Sequence, residues 1–132
     1  MILEASDDNT LELAFASIAR ERADALVVSA DAFFFLRREQ ITALAARYAV
    51  PTIYELQGFV DAGGLISYGP DVAALRRQVG IYTGRLLKGA KLADLPIQQP
   101  TKFDLALNLK TAKGLGLIVP PSMLTRADVV IE

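Results

Sequence analysis

Four polar side chains sit where apolar runs of this sequence end. Asp31 follows Ala25–Ala30, Glu55 lies near the close of Val50–Leu56, and Ser67 and Tyr68 finish Leu65–Tyr68. Two carboxylates can accept hydrogen bonds from an amine or hydroxyl. A serine can donate and accept, and a tyrosine offers an aromatic face with one hydroxyl. That set suits the holding of a small polar solute. Three of them also have a purely structural reading. Asp31 can cap a helix, Glu55 can be a solvated strand end, and Tyr68 can pack at the edge of a sheet.

Catalysis fits the composition poorly. The 132 residues contain no His and no Cys, which removes the commonest general base, the thiol nucleophile and the commonest soft metal ligands. No metal or cofactor site is expected. Gly84 to Gly89 has the glycine spacing of a phosphate-binding loop, but no Lys-Ser/Thr pair follows it and it falls at the end of a helical pattern. Asp7-Asp8 and Asp31 have the look of the acidic pocket of a phospho-acceptor domain. Only one helix separates them, and no Lys follows the next strand end, so that reading fails.

The formal net charge is −1, with 22% charged and 52% hydrophobic residues. A nucleic-acid partner would leave a basic footprint, and there is none. The apolar share is ample for a core, and the mean hydropathy of +0.32 hints at surface that expects a cover. No apolar run reaches the length of about 18 residues that a membrane span needs. Met1 leads into Ile2-Leu3-Glu4 without a basic n-region, so an export signal is expected to lie outside these residues.

The elements that must position the four side chains alternate in type. Ile2–Ser6 reads as a strand. A helix follows over Thr10–Arg22, capped by Asn9 with Glu12 three residues on, and its stripe is Leu11, Ala14, Phe15, Ile18 and Ala19. Ala25–Ala30 is uniformly apolar, as in a strand buried on both faces. Phe33-Phe34-Phe35 precedes a helix over Arg37–Tyr48 with Ile41, Leu44, Ala45 and Tyr48 inward, and Arg37-Arg38 sits in its exposed first turn. The triple Phe reads as core. Strands at Val50–Leu56 and Leu65–Tyr68 flank a short helix, Gly58–Ala62. Asp71–Lys88 is the longest helix, closed by Gly89, with a stripe of Val72, Leu75, Val79, Tyr82 and Leu86. A connector, Leu92–Pro100, leads to a strand at Phe103–Leu107, helices at Leu109–Leu115 and Ser122–Arg126, and a strand at Val129–Ile131. Strands joined this way predict an α/β fold with an open, mostly parallel sheet flanked by helices. Solutes bind such sheets beyond the carboxyl ends of the strands, where Asp31, Glu55, Ser67 and Tyr68 fall.

Three stretches carry a resemblance. They are Ala62-Gly63-Gly64-Leu65-Ile66-Ser67-Tyr68-Gly69-Pro70-Asp71, then Leu87-Lys88-Gly89-Ala90-Lys91-Leu92-Ala93-Asp94-Leu95-Pro96, and then Gln99-Pro100-Thr101-Lys102-Phe103-Asp104-Leu105 running on to Asn108-Leu109-Lys110-Thr111-Ala112-Lys113. Together they resemble the C-terminal half of the ABC-transporter substrate-binding family, of the type I periplasmic-binding-protein, Rossmann-like fold. The resemblance implies two α/β lobes around a solute cleft, with an ABC permease as partner and a periplasmic or lipid-anchored location. It implies a binding module, not an enzyme, for a small solute such as an amino acid. Residues 1–68 would belong to the second lobe, and residues 69–132 to a hinge crossing, the long helix and the C-terminal elements. With the first lobe absent, the long-helix stripe lacks a partner and the sheet an outer strand. A homodimer or higher oligomer is therefore expected.

Overall fold

A computed structural model describes residues 1–132. Five strands form one sheet in chain order: β1 Leu26–Val28, β2 Thr52–Tyr54, β3 Ile66–Pro70, β4 Phe103–Asn108 and β5 Val129–Ile131. β1, β2 and β3 run parallel, with Val28 beside Tyr54 and Tyr54 beside Ser67. β4 and β5 are parallel to each other. The Asn108 N–H donates to Leu65 O at 2.9 Å, joining the end of β4 to the entry of β3, so the second pair runs against the first three. The sheet is thus mostly parallel, as the alternating pattern predicts.

The helices are α1 Asp8–Arg20, α2 Ala32–Leu36, α3 Arg38–Arg47, α4 Gln57–Asp61, α5 Val72–Leu87, α6 Leu109–Gly114 and α7 Pro121–Arg126. None is long and apolar enough to cross a membrane. The core lies where α1 and α3 cover one face of the sheet. Leu11, Phe15 and Ile18 meet Ile41, Leu44 and Ala45 there, with Val50, Tyr54 and Phe59. The helical spacing in the sequence finds this face, although Ala19 falls outside it and is exposed. Phe33, Phe34 and Phe35 pack against the same cluster. Arg37 bonds Asp8 at 2.6 Å and lies over the Phe33 ring.

Three expectations need correction. No strand forms over Ile2–Ser6. β1 is the outermost strand, Ile2 is 93% exposed, and the segment has no ladder partner for its backbone groups. β1 is not buried on both faces. Leu26 and Val28 pack inward, whereas Val27 is 75% exposed because α1 and α3 cover only one side. The α1 cap is Asp7, not Asn9. Its carboxylate accepts from Thr10 N at 2.7 Å, and Thr10 Oγ1 accepts from Asp7 N at 3.0 Å, so the reciprocal pair sits two residues upstream of the expected one.

The Thr10 backbone hydrogen bond holds the Asp7 carboxyl below the usual carboxylate range. Its contribution to α1 is complete above the ordinary carboxylate pKa. It fades as pH falls through the lowered value. Far-UV circular dichroism in acid is expected to show α1 fraying in that window. Asp7→Asn, which caps without titrating, should remove this part of the pH dependence.

The chain divides into two units. The first joins residues 1–69 to residues 104–132, and the second is residues 70–103. In the second unit, Asp71 caps α5 by accepting from Ala74 N at 2.9 Å. Gly89 ends the helix at φ +96°, where a side chain would be strained. No residue of α5 is buried, and Val72 and Tyr82 of its stripe are half-buried.

Candidate functional site

The parallel register decides which residues reach the carboxyl end of the first three strands. Val28, Tyr54 and Ser67 are level with one another. Glu55 and Tyr68 come next, and Asp31 follows β1 after a two-residue loop. Side chains alternate across a sheet, so Ser67 points to the covered face with Tyr54, while Tyr68 turns the other way. Ser67 is accordingly only 1% exposed and Tyr68 56%. Glu55 and Asp31 are both exposed. Three of the four sequence-chosen residues therefore share one open end of the sheet, and the fourth lies beneath it.

Asp31 has a local task. Its Oδ1 accepts from Phe33 N at 2.7 Å and caps α2, which orients the carboxylate and engages one of its oxygens. Glu55 closes β2 at a place where β3 comes unusually near. A Cβ at Gly69 would overlap the Glu55 carbonyl oxygen, and Glu55 Cγ lies 3.0 Å from that position. Gly69 thus lets the exit of β3 lie against Glu55. The sequence places a glycine between Tyr68 and Pro70, but its composition says nothing of which neighbour it must clear.

Within the second unit, Lys102 Nζ donates to Asp71 Oδ2 at 3.0 Å, and Asp71 N donates to Lys102 O at 3.1 Å. The Ala74 amide foremost, and then Lys102, hold the Asp71 carboxyl below its ordinary range. Tyr82 Oη donates to Pro96 O at 2.6 Å, tying α5 to the connector that follows it. These contacts brace the segment. No group of His, Cys, Asp and Glu is placed to hold a metal ion. The open strand end offers carboxylates, an aromatic ring and a hydroxyl, which can bind and orient a polar molecule.

Residues 1–131 match the family described as ABC transporter substrate binding protein. The chain belongs to that family. Its members are substrate-binding components of ABC transporters, not enzymes, and are typically extracytoplasmic. Among solved structures, a conserved domain protein from Vibrio cholerae is similar at 25% identity and TM-score 0.85, over 96% of this chain and 42% of that one. An ABC domain from Streptococcus pneumonia, solved in complex with L-Trp, is similar at 27% identity and TM-score 0.81, over 93% and 40%. The ligand-free, open structure of a substrate-binding protein with adhesive properties from Clostridium difficile shares the fold at 21% identity and TM-score 0.67. No curated protein matches at a significant level. The chain spans about two-fifths of the length of these solved relatives.

Proposed function

We propose that this chain supplies one side of the cleft of a solute-binding protein for ABC import, and that the solute is a small amino acid-like molecule. Family membership carries this reading. The open carboxyl end of the sheet and the similar domain holding L-Trp support it. The contacts proposed are Asp31, Glu55 and Tyr68. The Glu55 carboxylate and the remaining Asp31 oxygen take donors, and Tyr68 offers its ring. Ser67, buried on the covered face, lies beneath them. Residues 1–68 contribute to the second lobe, and residues 69–132 carry the hinge crossing and C-terminal elements. No bond is made or broken. The solute stabilises a closed arrangement, which a membrane permease recognises on the periplasmic or lipid-anchored side.

A second reading rests on the uncovered surface. Val27 is 75% exposed, Leu87 84%, and α5 buries no side chain. A chain with this much apolar surface is expected to associate with itself, as a homodimer or larger. In the second reading it does so as an interaction module that binds no solute. Native mass spectrometry of the purified chain separates the two. Oligomers carrying an adduct of amino-acid mass, weakened by Glu55→Gln and Tyr68→Ala, are the result expected of solute binding. Bare oligomers would favour the interaction module, and a bare monomer would refute both.

A further inference from the structure

We propose that a small polar crevice between β2, α3 and α6 binds one structural water molecule. Tyr54 is 2% exposed, and burial pushes its hydroxyl pKa up to about 12. The nearby Thr52 hydroxyl offsets this in part, but no group of the chain stands in full hydrogen-bond geometry to the shielded oxygen. A buried hydroxyl left in that state is costly, and native proteins satisfy nearly all of them with protein groups or ordered water. The ring cannot swing away to find a partner. It stacks on Phe59 with centroids 4.5 Å apart and planes 10° from parallel. On another side Gly64 comes so close that a Cβ there would lie 2.6 Å from Tyr54 Cε2.

The crevice that Tyr54 lines is also lined by Thr42, Thr52, Thr111, Gly63 and Gly64. Its volume of about 10 Å³ is at the threshold for one water and too small for a larger ligand. The three threonines have already spent their hydrogens. Thr42 Oγ1 donates to Ala62 O at 3.0 Å, Thr52 Oγ1 to Val50 O at 3.0 Å and Thr111 Oγ1 to Gly63 O at 2.8 Å. Each hydroxyl therefore has only lone pairs left for a further partner. A tyrosine hydrogen and several threonine lone pairs match a water molecule, which can accept from the tyrosine and donate its two hydrogens to threonine oxygens. The apolar cavities of proteins stay dry, but this one has polar groups enough to hold a guest. The water would link the sheet to the helices just before Glu55. The inference does not depend on the solute reading.

A crystal structure of the chain, at a resolution that orders internal water, tests this. The expected result is one peak within hydrogen-bonding reach of Tyr54 Oη and of at least one threonine Oγ1. In crystals of Tyr54→Phe, which keeps the stack on Phe59, that peak should be lost. Oxygen-17 relaxation dispersion in solution should likewise lose one long-lived water. A direct Tyr54 Oη to Thr52 Oγ1 hydrogen bond with no density between Tyr54 and the threonines would overturn the proposal. So would a water that persists unchanged in Tyr54→Phe. If that variant fails to fold, the wild-type map decides alone.

Discussion

Gly69→Ala is expected to destabilise the chain by about 2–3 kcal/mol, the upper part of the range for forcing extra volume into a packed site. The new methyl would overlap the carbonyl oxygen of Glu55, which is backbone and cannot rotate aside. β3 or the end of β2 must move instead, although both are fixed by ladder hydrogen bonds. The same substitution at Gly80 or Gly84 in α5 has the opposite expected sign. Nothing lies within 4 Å of a Cβ at either position. Replacing glycine by alanine in an open helix interior stabilises by about 0.5–1 kcal/mol. Urea denaturation followed by circular dichroism reads all three. Equal midpoints for Gly69→Ala and the parent would mean that the two strand ends are not held together. Because Glu55 is a proposed solute contact, Gly69→Ala should also weaken solute retention more than its loss of stability alone accounts for.

The sequence reveals much of this architecture because the signals are periodic. Leu11, Phe15 and Ile18 recur at helical spacing and are all buried, as are Ile41, Leu44 and Ala45. The glycine after Lys88 stops α5 where the pattern says. The errors arise where neighbours decide. Ile2–Ser6 has strand-like residues, but a strand is a pairing, and no partner lies alongside. Ala25–Ala30 has the composition of a strand covered twice, yet coverage depends on the helices present. For the cap, Asn9 with Glu12 and Asp7 with Thr10 both satisfy the local chemistry. The choice falls to Asp7, which places Asp8 inside the helix, where it meets Arg37.

The candidate site was legible in part for a related reason. The rule that solutes gather beyond the carboxyl ends of parallel strands needs only the order of the elements, and that order is correct. Which side chains face outward depends on register to a single residue. Ser67 and Tyr68 are adjacent, so one of them must turn to the covered face. Only the pairing of Ser67 with Tyr54 tells which.

Phe15→Ala carries the largest expected loss of stability, about 3–5 kcal/mol. The ring is 3% exposed and joins α1 to α3, facing Tyr48 at a centroid distance of 6.1 Å. Its removal leaves a cavity among Leu11, Ile18, Ile41 and Leu44 that rigid helices cannot fill by collapse. Domains of this size are stable by roughly 5–15 kcal/mol in total, so about a fifth of the margin or more goes with one side chain. Leu13→Ala on the same helix is the control. Leu13 is 58% exposed, and leucine and alanine differ little in helix propensity, so its cost should stay within about 0.5 kcal/mol. With no tryptophan in the sequence, the transition is best followed by circular dichroism. Similar losses in the two variants would mean that α1 is held by its own helical preference. A large loss in Phe15→Ala alone would mean that burial against α3 holds it.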